Sequence, residues 1–344
     1  MVDDPWLSAP DHAPRRPAGH APVRQPSSVR RTSSIDMTWP DGRDGLITFS
    51  GYARDLRTGE HLAATNLVAE DRLHARLGWD RVIRDAKATP ARARIGELVG
   101  ARGGGHLRAL LGEVMHTERD AGSPLYLLLD DLSGASLIAG WAWSRWRSDW
   151  MQRAPSPRDG RSVPGIRNME NICAGFRTGS SALRSDGAAS PAQSTCAVVP
   201  LAHPEDPIGW HPLPEHPGVS MRRARRIDVW RDAEGRAHVD AGFQDSATVP
   251  EGGRVAIHEY RLHAVTDAGA HRLAHIEAIP HVLPYKECPA AAANVQRLTG
   301  STIAQLRTRV IEMLPGTLGC THLNDALRAL ADVPTLLASL PART

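Results

Sequence analysis

The sequence predicts an α+β fold built from two tandem similar subdomains, each an antiparallel meander followed by helices, related by a pseudo-twofold axis. The first observation behind this prediction is an internal repeat. The segment Val29–Leu56 parallels Met221–Ser246, since both run Arg-Arg, Ile-Asp, a Gly-containing turn, a strand, and then Gly-aromatic and Asp. Likewise, AEDRLHA at Ala69–Ala75 parallels HEYRLHA at His258–Ala264. Because the matches recur in the same order, we interpret them as a tandem duplication.

The ends of the two copies also agree. SPLYLLLDDL at Ser123–Leu132 aligns without gaps with LGCTHLNDAL at Leu318–Leu327. We therefore expect a first copy over residues 29–152 and a second copy over residues 221–340. Two such copies in one chain are expected to pack as a homodimer fused into a monomer would, about a pseudo-twofold axis.

The second observation is the order of the periodicities within a copy. In the second copy, stretches that alternate apolar and polar residues, or are rich in Val, Ile and Tyr, are separated by the short turns DAEG, PEGG and DAGA. Short turns between strands are typical of an antiparallel meander. The predicted strands cover residues 225–231, 236–243, 254–266 and 272–282. A sheet followed by helices indicates the α+β class.

Helical periodicity begins after Pro284. Pro289 suits the first position of a helix, and Gly300 can close that segment. A second helix is predicted over Ser301–Leu314, and a third is predicted to start at Thr321, a suitable N-cap residue. Each copy is thus expected to lay helices against its own sheet.

Composition indicates a soluble globular protein. The 344 residues are 41% hydrophobic and 23% charged, with a formal net charge of only +3. This balance argues against a nucleic-acid partner and favours a small neutral or anionic molecule. Apolar runs such as Leu125–Leu129 are too short to span a bilayer, so we expect no membrane partner and a cytoplasmic location. Four cysteines in a chain of this length do not make a disulfide scaffold.

Two segments fall outside the copies. Residues 1–28 contain Pro, His and Arg but no apolar run of the length that a secretory signal needs, and we expect a disordered tail. Residues 153–220 are rich in Pro, Gly and Ser. A connection of this length is typical of a lid, a binding loop or a linker, so both an ordered excursion over the second copy and a plain linker stay open.

Polar residues that occur in only one copy indicate where function lies. In the alignment, His258 corresponds to Ala69 and His322 corresponds to Leu127. Cys320 corresponds to Leu125, while Tyr285 and Cys288 have no counterpart, as the stretch equivalent to theirs is shorter and lacks cysteine. The second copy is therefore predicted to be the active one, and the first a degenerate partner filled with apolar side chains.

The residues of the second copy suit acid–base or nucleophilic chemistry. Cys288 and Cys320 are both expected at helix N-termini, where the helix dipole favours the thiolate. Asp325 lies three residues after His322 on the same predicted helix, so it is expected to orient the imidazole. His258 and His322 would act as acid and base, Cys320 or Cys288 as nucleophile, and Tyr285 as a proton donor or orienting group.

Two other uses of these residues stay open. His258, Cys288, Cys320 and His322 would make a Cys2His2 zinc set, or three ligands with an open position, although the paired CxxC spacing is missing. The cofactor expectation is therefore either none or a divalent metal such as zinc. Alternatively the cysteines are packed core, since Cys is among the residues most often buried.

Arginines cluster on the first strand of each copy. The pairs Arg30–Arg31 and Arg222–Arg223 recur in both copies, so we expect a structural role, pairing with Asp36 and Asp228 or with a sheet edge. Arg225 and Arg226 follow the second pair and have no counterpart in the first copy. They could hold a carboxylate or phosphate of a substrate in bidentate fashion.

Three segments of the second copy carry a resemblance to a known family. HEYRLHA, LPYKECPAA followed by LTG, and GCTHLNDALRAL are similar to the hallmark segments of a bacterial family, domain of unknown function 2889. The resemblance covers Met221–Leu337, and the upstream sequence is similar to longer, actinobacterial-type members. It implies a bacterial cytosolic protein but supplies no activity. It also supports a set of recurrent polar positions: His258, Tyr285, Cys288, Cys320 and His322.

These observations predict a small-molecule enzyme of bacterial metabolism. No Rossmann or P-loop fingerprint is present, so a nucleotide-independent hydrolase, lyase or isomerase is preferred to a redox enzyme. The alternatives are a non-catalytic protein that holds a ligand or metal in the same pocket, and a purely structural partner of another enzyme. The sequence does not indicate an oligomeric state.

Overall fold

A computed structural model describes residues 16–147, 169–183 and 195–340 of the protein. A nine-stranded antiparallel sheet forms its frame. The N-terminal half contributes a four-stranded meander whose neighbours pair in chain order. Its strands are β1 (Ser28–Thr38), β2 (Ile47–Thr58), β3 (Thr65–Leu77) and β4 (Ile83–Thr89). The C-terminal half contributes a second meander, of β6 (Ser220–Arg231), β7 (Ala237–Thr248), β8 (Arg254–Thr266) and β9 (Leu273–Val282). The short strand β5 (Cys196–Ala197) pairs with the start of β8.

The two meanders join through the antiparallel pairing of β1 with β6, which we call the seam. Arg30 lies opposite Asp228 and Asp36 lies opposite Arg222 in this register. Arg30 Nε is 2.5 Å from Asp228 Oδ1, and Arg222 Nε is 2.6 Å from Asp36 Oδ1, with all four side chains buried. The predicted structural role of the arginine pairs is confirmed here, since each half supplies the counter-ion of the other.

Helices follow the strands in each half, as predicted for the α+β class. In the N-terminal half these are α1 (Gly105–Val114), α2 (His116–Asp120), α3 (Pro124–Ile138) and α4 (Trp143–Trp146). The C-terminal half has α5 (Ala290–Ala293), α6 (Leu306–Met313), α7 (Thr321–Ala329) and α8 (Val333–Ala338). Among the described helices, none has both the length and the apolar character that crossing a bilayer requires.

The helix boundaries differ from the predicted ones in two places. The helix expected over Ser301–Leu314 is a 3-10 segment, Ile303–Gln305, followed by α6 from Leu306. The helix expected from Pro289 to Gly300 is only the single turn α5 followed by a 3-10 segment, Asn294–Leu298. The backbone there is tied to the start of β9, because Gly300 N donates to Leu273 O at 2.7 Å and Leu273 N donates to Ser301 O at 3.0 Å. The third helix does begin at Thr321, as expected.

Two apolar clusters lie between the sheet and the helices, and each takes residues from both halves. The cluster around Phe243 and Leu323 also contains Leu127, from α3 of the N-terminal half. The cluster around Phe49 and Leu128 also contains Met221, from β6. Neither half therefore closes its core alone.

The opposite face of the sheet is covered by the N-terminal strap (residues 16–27) and by residues 199–213. Ala18 N donates to Glu259 Oε2 at 2.9 Å, and the buried Arg24 pairs with Asp206 at 2.9 Å. Residues 1–15 of the expected disordered tail lie outside the described residues, but residues 16–28 are packed. Of the connection expected over residues 153–220, the parts 169–183 and 195–220 are described, and both are ordered.

Breaking one seam ion pair should destabilise the fold far more than breaking a surface pair. Arg222→Met leaves Asp36 buried without its guanidinium partner, so we expect a loss of about 3–5 kcal/mol in the free energy of unfolding. The matched control is Arg76→Met, which removes a pair with Asp41 whose side chains are 37% and 57% exposed, and it should cost about 0–1 kcal/mol. Urea unfolding monitored by tryptophan fluorescence measures both, and equal losses would contradict the structural role of the seam.

Candidate functional site

A β-bulge between β7 and β8 positions the first residue of the site. Asp245 pairs with His258, but the next residue, Ser246, pairs with Ala256, so Ile257 is the extra residue of the bulge. A bulge re-aims the side chains beside it, and such bulges are common next to active sites. His258 consequently lies between the sheet and the helices, where its ring meets the ring of His322.

Helix α7 supplies the second histidine. His322 is in its first turn, directly after the N-cap residue Cys320 and Thr321. The imidazole rings of His258 and His322 stack with centroids 3.5 Å apart and an interplanar angle of 18°. The sheet and the helix layer thus meet through these two side chains.

Asp245 lies beside both rings. Its Oδ2 atom is 3.3 Å from His258 Nδ1 and 3.8 Å from His322 Nε2. One potential ligand atom from each of the three residues lies within 4.8 Å of the others. All three residues are buried, with 0% of Asp245, 6% of His258 and 9% of His322 exposed.

Arg223 fixes the carboxylate of Asp245. Its guanidinium forms a fork, with Nε donating to Oδ1 at 2.9 Å and Nη2 donating to Oδ2 at 3.0 Å. Both groups are fully enclosed by the protein, so the fork sets the orientation of Asp245 before any ligand arrives.

The electrostatics of the site favour uncharged rings beside a charged carboxylate. Burial lowers the pKa of His258, and burial together with the neighbouring His258 holds the pKa of His322 well below its usual range. Burial opposes ionisation of Asp245, but Arg223 and the histidines outweigh it and hold the pKa of this carboxyl well below its usual value. His258 Nδ1 and His322 Nε2 both lack a hydrogen-bond partner of acceptable geometry. At neutral pH the site therefore holds two uncharged imidazoles beside an ionised carboxylate.

The cysteines do not carry the charge that we expected of them. Cys320 is at the N-terminus of α7 as predicted, and its Sγ is 4.0 Å from His322 Nδ1. Burial nevertheless raises the pKa of Cys320, and it raises that of Cys288 well above the ordinary value. Desolvation of the thiolate outweighs the helix dipole here. The residues whose ligand atoms converge are Asp245, His258 and His322, and neither cysteine is among them. Asp245 is thus the third member of a set in which we expected a cysteine.

Tyr285 and Asp325 have partners other than the two histidines. The ring of Tyr285 packs edge-on against Phe176, and burial raises the pKa of its hydroxyl to about 12. Asp325, which we expected to orient His322, instead forms ion pairs with Arg108 and with Arg223, the latter at 3.1 Å. The carboxylate beside the imidazoles is Asp245.

Arg225 and Arg226 are occupied by carboxylates of the fold. Arg225 forks Asp131 of α3 at 2.6 and 2.5 Å. Arg226 bonds to Asp240 at 2.6 Å and also contacts Asp228. Neither guanidinium has the free fork that the expected anion-binding role requires.

The N-terminal half contains the carboxylate of the site without its histidines. Asp55 is held by a fork from Arg31, with both contacts at 2.6 Å. It pairs with Ala69 beside a bulge at the same place in the ladder, between Asp55 and Leu56. Sequence reasoning missed Asp245 because it searched for residues that differ between the copies, although the repeat ends in this aspartate in both.

A cavity on the opposite face is separate from this cluster. It has a volume of about 50 Å³ beneath the N-terminal strap, with Gly242, Glu259 and Trp210 in its lining. Glu259 Oε1 accepts a hydrogen bond from Gln244 at 2.8 Å, and burial raises the pKa of this carboxyl. Because the cavity lacks both histidines, we place the candidate site at the Asp245 cluster.

Thiol accessibility should separate Cys196 from the other three cysteines. Cys196 is partly exposed on the edge strand β5, whereas Cys173, Cys288 and Cys320 are buried, and burial raises the pKa of Cys173 to about 12. We expect a chromogenic disulfide reagent at pH 8 to modify one thiol of the native protein, and all four only after unfolding. Cys196→Ser should abolish the native reaction; rapid modification of Cys320 would show that its thiol is reachable and reactive.

Comparisons with known proteins give one match. No curated protein and no solved structure matches the chain significantly. Residues 221–336, which include Arg223, Asp245, His258 and His322, match the family described as "Protein of unknown function (DUF2889)", and the match is confined to this segment.

Proposed function

We propose that the protein is a nucleotide-independent small-molecule enzyme of the hydrolase, lyase or isomerase type, with its reactive centre at Asp245, His258 and His322. The observation that carries the proposal is that two buried, uncharged imidazoles converge on one ionised carboxylate. Such perturbed and desolvated groups cluster at functional sites more often than in structural cores. The family resemblance supports a bacterial, cytosolic setting for this enzyme.

The three groups offer chemistry that a packing role does not need. A pair of neutral histidines costs burial free energy because each ring keeps a nitrogen without a hydrogen-bond partner. An uncharged imidazole can accept a proton or bind an electrophile at neutral pH. Arg223 keeps Asp245 ionised and oriented, so the centre is organised before substrate binds.

We further propose that the two halves are copies of one unit, related by a pseudo-twofold axis through the seam. In the register of β1 with β6, Ser33 lies opposite Arg225, which is its own counterpart in the sequence repeat. The two seam ion pairs are reciprocal, and the same bulge follows Asp55 and Asp245. The N-terminal half can then be compared directly with the C-terminal half, because it has the same arginine–aspartate fork without the two histidines.

A second candidate function is non-catalytic binding of a ligand or metal. It is favoured by the small exposed fraction of the site, with 6% of His258 and 9% of His322 accessible. Residues 169–183 also lie over the neighbouring Cys288, since a Cβ on Gly175 would come within 2.7 Å of its Sγ atom. Catalysis requires a path for substrate past this cover, whereas binding of a small ion does not.

Replacing site residues by those of the N-terminal half should abolish activity without unfolding the protein. We expect His258→Ala and His322→Leu each to lower the rate by at least about 100-fold, the contribution of a general acid or base. These changes install the residues found at Ala69 and Leu127. Activity would be found by screening esters, amides, hydroxy acids and carbonyl isomerisation substrates with the full chain.

The matched control is Asp55→Asn set against Asp245→Asn. Both remove a buried carboxylate from an arginine fork, so their losses of stability should be similar. Only Asp245→Asn should lower the rate. An activity that survives both histidine variants would refute the proposed centre, and a screen without turnover of any class would favour the binding role.

A further inference from the structure

We propose that Asp245, His258 and His322 bind one divalent first-row transition-metal ion, leaving open coordination positions for a substrate. The inference rests on the proposed centre, but it does not depend on which reaction the centre performs. It assigns a ligand set of two nitrogens and one oxygen, in which the carboxylate comes from the arginine-held Asp245.

The spacing of the donor atoms fits such an ion. Around a tetrahedral ion with bonds of about 2.0–2.1 Å, neighbouring ligand atoms lie about 3.3–3.5 Å apart. His258 Nδ1 is 3.3 Å from Asp245 Oδ2, and His322 Nε2 is 3.8 Å from the same oxygen. These two distances are within about half an ångström of that ideal, and one ligand atom from each of the three residues lies within 4.8 Å of the others.

The two nitrogen donors are also free of other partners. His258 Nδ1 and His322 Nε2 are buried, both face the same carboxylate oxygen, and neither makes a hydrogen bond of acceptable geometry. Unpartnered buried nitrogens are costly in a folded protein unless a ligand satisfies them. One ion between the three residues satisfies both nitrogens at once.

The stacked rings define the one rearrangement that binding requires. A metal bonds to imidazole near the plane of the ring, and parallel rings 3.5 Å apart direct their lone pairs side by side. One ring must therefore turn about its Cβ–Cγ bond so that both planes meet at the ion. This terminal torsion of histidine is broad, so the turn is inexpensive.

Neighbouring groups would hold the ligands in place, as outer partners do in metal sites. Arg223 occupies one lone pair on each oxygen of Asp245 and leaves another on Oδ2. Thr321 Oγ1 lies 3.4 Å from His322 Nδ1, the ring nitrogen that does not face Asp245. Both contacts fix the direction in which a donor atom points.

The donor types limit the choice of ion. Imidazole and carboxylate suit Zn²⁺, Fe²⁺, Co²⁺ and Ni²⁺, whereas thiolate would be needed to select Cu(I). Cys320 lies outside the set, with its Sγ 4.0 Å from His322 Nδ1, the ring nitrogen that does not face Asp245. A bound ion would supply Lewis acidity to a substrate oxygen.

The experiment is a metal titration of the full chain after treatment with a chelator. Zn²⁺ and, separately, Co²⁺ are added and followed by calorimetry, and metal content is measured after gel filtration. We expect one equivalent bound by the wild type, with affinity reduced at least about 100-fold in His258→Ala and in His322→Leu. Asp55→Asn and Cys320→Ser should bind as the wild type does.

Stability gives a second readout that does not depend on activity. A metal that binds the native state raises the unfolding midpoint, so Zn²⁺ should shift the wild type but neither histidine variant. Absence of stoichiometric binding by the wild type, or binding retained in both histidine variants, would overturn the inference. Loss of binding in Cys320→Ser would replace the ligand set with one containing sulfur.

The two proposals fail separately. If the wild type binds no metal but loses turnover in His258→Ala, the metal inference is wrong and the enzyme proposal stands. If it binds one equivalent yet turns over none of the screened classes, the metal site stands and the enzyme proposal fails.

Discussion

The structure depends on the pairing of buried arginines with aspartates along its two central strands. Arg30 and Arg222 are neutralised across the seam, and on the helix side Arg31 and Arg223 each fork an aspartate of the neighbouring strand. A buried guanidinium is tolerated only when its donors are matched in geometry as well as charge. These forks fix the register of four strands, because a slip of one residue would move every arginine to the opposite face.

The candidate site is built on one of these buried arginine–aspartate pairs. Arg223 must be neutralised for the fold to form, and the group that does so, Asp245, is thereby held ionised although it is fully buried. The bulge at Ile257 and the first turn of α7 then bring two imidazoles to it. The N-terminal half shows the scaffold alone, since Arg31 and Asp55 form the same fork beside Ala69. Function would thus require few changes to a structural motif.

The sequence predicted the order of elements well because alternation, turn chemistry and caps are local properties. The start of α7 at Thr321 was predicted correctly, whereas the length of the helix after Pro289 was predicted wrongly, since the backbone at its end bonds to the distant residue Leu273. His258 and His322 were found by comparing the copies. The raised pKa of Cys288 and of Cys320 could not be predicted. The position of a residue on a helix is visible in the sequence, whereas the desolvation of its thiol depends on tertiary packing.

Because each apolar cluster takes residues from both halves, the C-terminal half alone would lack part of its core. Without the N-terminal half, residues 221–336 would expose β6 along its whole length as an unpaired edge, which is a template for association. The strand carries its own complement, since Arg222 and Asp228 lie symmetrically about Arg225. A chain with only this segment would therefore complete its sheet by pairing β6 with β6 of another copy, and each copy would keep a full set of histidines. In this chain β1 covers that edge, with Asp36 opposite Arg222 and Arg30 opposite Asp228.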